Sequence, residues 1–189
     1  SSFGVSDLVG GPFGAVVDTF DRAVDALLEQ VRGNPIVDRV MTAATDSGEF
    51  SAIWHAASLI RGVAKGRPDQ VVALAIGIGA ESLIVNQGLK RLFHRQRPTT
   101  SGDDRFEIRT PITSSFPSGH ASAAAFAAVT LVGWDGKRSL PLWGTLATLV
   151  ATSRPYVRIH HASDVVGGVV VGAVIGIVAR RIFRRLGLG

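Results

Sequence analysis

The chain has 189 residues, no cysteine, 22 glycines and a formal charge of +5, with a pI near 10.7. That length suits one domain with a sizeable core, and the lack of cysteine excludes disulfides and thiolate metal sites. The basic balance suits nucleic acid, anionic lipid or a phosphorylated substrate, but the basic residues fall in short clusters between apolar runs, without the long basic face of a nucleic-acid binder, and nucleic acid is set aside.

A hydrophobic share of 46% with many small residues points toward a membrane protein. Mean hydropathy is only +0.28, and no stretch reaches the roughly 20 uninterrupted apolar residues of a simple spanning helix, so a soluble protein with long buried helices is the alternative.

Residues 1–15 are Gly-rich and carry little information; with Ser1 in place of a methionine, a targeting segment is left open. From residue 16, Val17, Phe20, Val24, Leu27, Leu28 and Val31 share one helical face, and Asp18, Asp21, Arg22, Asp25 and Glu29 fall largely on the other. This amphipathic helix ends at Gly33-Asn34-Pro35 and is too polar to span a bilayer. It suits an interfacial or covering position, although its acidic face matches anionic lipid poorly. A shorter amphipathic helix at 36–44 precedes the loop Asp46-Ser47-Gly48-Glu49.

Five apolar segments follow, at residues 50–64, 71–89, 119–134, 140–152 and 164–182. The expected architecture is one all-α domain over 1–189: a helical-bundle integral membrane protein with about five transmembrane helices within 50–185, plus amphipathic N-terminal helices within 16–45. In that threading Lys65, Arg67, Lys137, Arg138, Arg180, Arg181, Arg184 and Arg185 share one side, which the lysine and arginine rule assigns to the cytoplasm. The other side receives 90–97, 116–120 and 154–164, whose arginines have a competing explanation as substrate ligands. Gly168, Gly172 and Gly176 repeat in line with Asp164, a small-residue stripe that would turn this carboxylate toward protein.

Three clusters carry chemistry. Lys90-Arg91-Leu92-Phe93-His94-Arg95-Gln96-Arg97-Pro98 closes an apolar helix, and Lys90 and Arg97 share a side if the helix continues; a basic juxtamembrane collar is the plainer reading. Ser114-Ser115-Phe116-Pro117-Ser118-Gly119-His120 runs into an Ala-rich helix, so its backbone N–H groups and positive dipole end form a natural anion pocket, unless Ser118 is only an N-cap. Ser153-Arg154-Pro155-Tyr156-Val157-Arg158-Ile159-His160-His161-Ala162-Ser163-Asp164 sets charge beside an apolar run; if helical from residue 160, it puts Asp164 within hydrogen-bonding reach of His160. Lys90, Arg97 and Arg154 with the Ser118-Gly119 turn fit phosphate best.

Lys90 with six residues before Arg97-Pro98, then Pro117-Ser118-Gly119-His120, then Ser153-Arg154 with five residues before His160 and three before Asp164, resembles the complete three-part signature of the type 2 phosphatidic acid phosphatase superfamily. That superfamily includes membrane lipid phosphatases, bacterial class A acid phosphatases and vanadium haloperoxidases. The resemblance implies that His160 is the nucleophile forming a phosphohistidine, that Asp164 orients it, and that His120 protonates the leaving oxygen and then helps activate water. It implies that Lys90, Arg97, Ser118, Gly119 and Arg154 cradle the phosphoryl group, that no cofactor or metal is needed, and that vanadate inhibits.

The bacterial membrane lipid phosphatase branch is the nearest in pattern. It implies a multi-pass protein of the bacterial inner membrane acting on a polyprenyl diphosphate, phosphatidylglycerol phosphate, phosphatidic acid or polyprenyl sugar phosphate, and the charge distribution between the two sides places the site on the extracytoplasmic side. A typical member has six spans, against five here. A soluble-type acid phosphatase, a metal-dependent phosphohydrolase and a lipid-phosphate binder without turnover are the alternatives. The stretch 99–115, with Asp103, Asp104, Arg105, Glu107 and Arg109, reads as a lid or a solvated loop. Glu81 is expected to pair with a cation inside the bundle. His161 is structural or substrate-facing, and His55 and His94 have no motif role.

Overall fold

A computed structural model describes residues 13–99, 105–106 and 113–189. Asp103, Asp104, Glu107 and Arg109 lie outside the described residues. Among the described residues there is no strand, and the α-helices are α1 (Ala15–Glu29), α2 (Pro35–Ser47), α3 (Ala52–Lys65), α4 (Pro68–Ser82), α5 (Gly119–Asp135), α6 (Leu140–Tyr156) and α7 (Ala162–Arg185). Their starts follow local chemistry. Asn34 accepts the Ile36 and Val37 N–H groups at the head of α2, Ser118 accepts that of Ala121 in α5, and prolines open α2 and α4. Gly66, at φ +63°, closes α3 in the left-handed conformation that glycine adopts without strain.

The Ala-rich α5 is the central helix, buried from Ala121 to Ala128 and wrapped by α4, α6 and α7. Its tightest neighbour is α7, whose Gly168, Gly172 and Gly176 let the two backbones meet. A Cβ on Gly172 would lie 2.0 Å from the Ser122 carbonyl oxygen, and one on Gly168 2.4 Å from that of Ser118. Gly172→Ala is therefore expected to force α5 and α7 apart at a cost of about 1–3 kcal/mol. Gly144→Ala, whose Cβ would meet only the Leu140 side chain at 3.7 Å, should be close to neutral. Thermal unfolding of the two variants in detergent checks this.

The core contains Trp54, Leu74, Phe126, Leu131 and Trp143, yet many large aliphatics point outward, among them Ile60 and Val63 of α3, Ile76 of α4, and Val166, Val170 and Val174 of α7. An aliphatic exterior around small and polar interior residues is the pattern of a lipid-facing bundle. The stretches Pro68–Arg91 and Ala162–Arg185, each of 24 residues, are long and apolar enough to span. Helices α3, α5 and α6 have 14, 17 and 17 residues, about 21–26 Å at the α-helical rise and short of a roughly 30 Å hydrocarbon core.

The basic turns gather at one end. Arg61 pairs with Asp135 at 2.8 Å, Trp143 Nε1 donates to Asp135 at 3.0 Å, and Gln70 donates to the Leu188 carbonyl at 3.0 Å. Helices α1 and α2 cover the opposite end, and α1 sits with its acidic side inward. Asp21 is buried and Asp25 and Glu29 meet arginines, while Val16, Phe20 and Leu27 face out. The poor match to anionic lipid is thus resolved, because Asp21 is buried and Asp25 and Glu29 pair with arginines of the protein. Arg32 donates to the Tyr156 and Pro155 carbonyls at 2.8 and 2.9 Å, satisfying the end of α6, and Tyr156 donates to Asp38 at 2.5 Å.

Candidate active site

Lys90 reaches the site through a change of helical winding. After α4 the chain continues as a π-helical turn, Leu83–Gly88, and a 3-10 turn, Leu89–Arg91. Such turns inside helices recur at functional sites. Contrary to the expected continuation, no helix carries Lys90 to Arg97. Residues beyond the 3-10 turn leave the helix, because the Arg95 backbone pairs with the next cluster: its carbonyl accepts the Ser115 N–H at 2.9 Å and its N–H donates to Ser114 Oγ at 3.3 Å.

His160 and Asp164 also meet differently from the expected helix face. Helix α7 begins only at Ala162, with His161 as its N-cap, and Asp164 Oδ2 accepts the His161 N–H at 2.8 Å. The same oxygen accepts the Ser115 hydroxyl, which leaves it 3.6 Å from His160 Nδ1, at ion-pair rather than hydrogen-bond range. Ser118 N–H is likewise committed, to the Asp164 carbonyl at 3.0 Å, so the anion donors at this turn are those of Gly119 and His120.

A cleft of about 540 Å³ at this end is lined by Lys90, Gly119, His120, Arg154 and His160, with Glu49, Glu81, Asn86 and Gln87 around them. Arg97 reaches it through His160, with Nη1 3.1 Å from Nε2 of the imidazole and 2.7 Å from the Ile159 carbonyl. Ser118 and Asp164 lie behind the wall, fully buried. Among the described residues, the buried atoms His120 Nε2, Arg154 Nε, Arg154 Nη1 and His160 Nδ1 have no hydrogen-bond partner. Buried donors are normally satisfied, and while His160 Nδ1 faces Asp164, the unpartnered His120 and Arg154 atoms around one cleft point to a ligand rich in acceptors. Three cations and a helix N-terminus make a phosphoryl group the ligand that this set holds best.

The guanidinium of Arg97 can only donate, so the His160 Nε2 it faces carries the lone pair and the ring proton lies on Nδ1, toward Asp164. Burial pushes the His160 pKa down to about 3; the charges of Arg154 and Arg97 add to the shift and Asp164 opposes it. The imidazole is a neutral base, able to act as a nucleophile, throughout the physiological range. An unfolded histidine titrates near 6.5, so as pH falls from there toward 3 the unfolded chain takes up a proton that the folded one refuses, and stability falls. Between pH 7 and 4 the wild type is expected to lose thermal stability relative to His160→Asn, measured by melting in detergent.

Among the site neighbours, Glu49 and Gly48 carried no local signal. Glu49, on the tight turn between α2 and α3, places Oε1 3.5 Å from His120 Nε2 and 3.9 Å from Arg154 Nη1. Gly48 permits this approach, since its Cβ would lie 2.6 Å from His120 Cδ2. Glu81 accepts the Ser122 hydroxyl rather than bonding a cation, and shares the cleft with Lys90. His161 Nδ1 lies 3.9 Å from Asp21, His55 stands on the cleft, and His94 is exposed. Arg105 pairs with Glu29 at 3.1 Å, and Phe106 packs beside Tyr156 with ring centroids 5.7 Å apart.

The sequence profile of the PAP2 superfamily matches residues 70–188, which include all three clusters. The chain belongs to the PAP2 superfamily. Among curated PAP2-like relatives, it is 35% identical over 155 residues to the decaprenylphosphoryl-5-phosphoribose phosphatase of Mycolicibacterium smegmatis, covering 78% of this chain and 82% of that one. It is 34% identical over 148 residues to the Mycobacterium tuberculosis protein of the same name, covering 75% and 80%. The fold is similar to the crystal structure of a transmembrane PAP2 type phosphatidylglycerolphosphate phosphatase from Bacillus subtilis, with a TM-score of 0.67 and 25% identity over 90% of this chain and 87% of that one. The likeness to a transmembrane PAP2 phosphatase and the outward aliphatics make this a membrane protein, without a strand among the described residues.

Proposed function

We propose that this chain is a metal-independent membrane phosphatase that hydrolyses the phosphate monoester of a lipid-linked substrate through a phosphohistidine on His160. The observation that carries the reading is the convergence of Lys90, Arg97, Arg154, His120 and a neutral, buried His160 on one cleft. The phosphoryl oxygens draw Arg97 from His160 Nε2 and are held with Lys90, Arg154 and the Gly119 turn. His160 Nε2 forms a bond to phosphorus as the bond to the leaving oxygen breaks, and His120 gives that oxygen a proton. Asp164 offsets the positive charge developing on His160. In the second half His120 takes a proton from water, whose oxygen displaces Nε2 and releases phosphate.

The two mycobacterial relatives favour a polyprenylphosphoryl sugar phosphate over phosphatidic acid or a polyprenyl diphosphate. The whole chain works as one unit in a multi-pass bacterial inner-membrane protein: α3 to α7 cross the bilayer, tilted or locally thinning it where short, and α1 and α2 lie at the interface. The basic ends near Lys65, Lys137 and Arg180 then face the cytoplasm, and the cleft opens on the extracytoplasmic side.

The test is phosphate release by detergent-solubilised protein, in excess chelator, from decaprenylphosphoryl phosphoribose, a polyprenyl diphosphate, phosphatidylglycerol phosphate and phosphatidic acid. Vanadate-sensitive release, fastest from the sugar phosphate, is expected. Release that stops with chelator would overturn the metal-independent chemistry, and no release from any lipid by folded protein would indicate binding without turnover.

A further inference from the structure

Arg95 belongs to the basic run after α4 but does not line the cleft. Its buried guanidinium donates through Nη1 to Asp164 Oδ1 at 2.5 Å and Ser163 Oγ at 2.7 Å, and through Nη2 to Asp21 Oδ2 at 2.6 Å. Asp21 comes from α1, far away in the chain, and also accepts the Ser163 N–H and hydroxyl, each at 2.8 Å. Asp21, Arg95 and Asp164 thus form a buried carboxylate, guanidinium and carboxylate chain whose far end faces His160. Arg95 holds Oδ1 of Asp164 and thereby turns Oδ2 toward the imidazole.

We infer that Asp21 and Arg95 are positioning residues that set both the orientation and the effective charge of Asp164, so that the seating of α1 completes the site. This rests on the reading of His160 as the nucleophile. With Asp21 ionised the chain of three carries one net negative charge, which offsets the charge that His160 gains on attack. Without it Arg95 cancels Asp164, and the field that stabilises the transition state is lost. Ground-state phosphate binding depends on Lys90, Arg97 and Arg154 and is left in place. The interior-facing acid on a helix that exposes Val16, Phe20 and Leu27 has its role here.

The experiment compares wild type, Asp21→Asn, Asp21→Glu and Arg95→Lys as full chains in detergent, with p-nitrophenyl phosphate and the lipid panel as substrates and inorganic phosphate as the binding probe. Asp21→Asn keeps the shape and an acceptor for Ser163, and is expected to lower kcat about 10- to 100-fold, the scale of a lost outer-shell partner. KM and phosphate affinity should stay within about twofold, and Asp21→Glu should recover most of kcat. Arg95→Lys keeps the charge sum but cannot hold both carboxylates; it is expected to lower kcat without changing phosphate affinity, and it carries the test if Asp21→Asn does not fold. Unchanged kcat in folded Asp21→Asn or Arg95→Lys, beside an active wild type and an inactive His160→Ala, overturns this inference alone. Loss of phosphate affinity in parallel with kcat also overturns it, by making the contact a scaffold of the whole cleft. An inactive, folded wild type overturns the parent reading as well.

Discussion

Replacing His160 with alanine is expected to lower kcat by a factor on the order of 10⁴ or more, while inorganic phosphate still binds. The asymmetry follows from the site. Lys90 and Arg154 line the cleft without help from the imidazole, and the Gly119 turn is held by α5. His160 presents a buried nitrogen lone pair, defined by the Arg97 donor at 3.1 Å. Removing it leaves the charge cradle and deletes the group that splits the reaction into two steps. Phosphate affinity by calorimetry beside single-turnover kinetics checks both halves. A mutant that retains a tenth of the wild-type rate would mean that another group attacks phosphorus.

Replacing Arg154 with methionine is expected to move activity and stability in opposite directions. The guanidinium is fully buried, and Nε and Nη1 have no hydrogen-bond partner among the described residues. Its nearest carboxylate, Glu49, is 39% exposed and 3.9 Å away, so deleting the cation does not strand a buried anion. A buried charge held this loosely costs the fold more in desolvation than it returns, and an apolar replacement of similar volume is expected to stabilise by about 1–4 kcal/mol. The same change removes a cation aimed at the phosphoryl oxygens and should lower kcat about 10²- to 10³-fold. Melting with and without inorganic phosphate checks the pair. The variant should melt higher than wild type without phosphate and gain less from its addition. A lower melting temperature would show that Arg154 is a structural cation.

The helices and the three motif clusters were legible because each depends on neighbours within one element. The Ala-rich run after Ser118 and the glycines four apart from Gly168 to Gly176 specify helices and a close interface whatever the tertiary context. The details that depend on contacts between distant segments were not. Lys90 and Arg97 looked like one helical face, but the Arg95 backbone pairs with Ser114 and Ser115 instead, and the helix stops. Asp164 looked like the hydrogen-bonded partner of His160, but its Oδ2 also caps α7 and accepts Ser115. Asp21 and Glu49 were ordinary surface acids by pattern, and only the fold brings one to Arg95 and the other to His120. The acidic face of α1 implied a partner without naming it, because periodicity gives a face and not what covers it.

The most direct test of the account is rapid quenching of the wild type during turnover of a lipid substrate labelled in its terminal phosphate. The account predicts protein-bound label that is acid-labile and alkali-stable, that maps to His160, and that is absent from His160→Ala. Turnover without such an adduct, or label retained in His160→Ala, would contradict a phosphohistidine at this position.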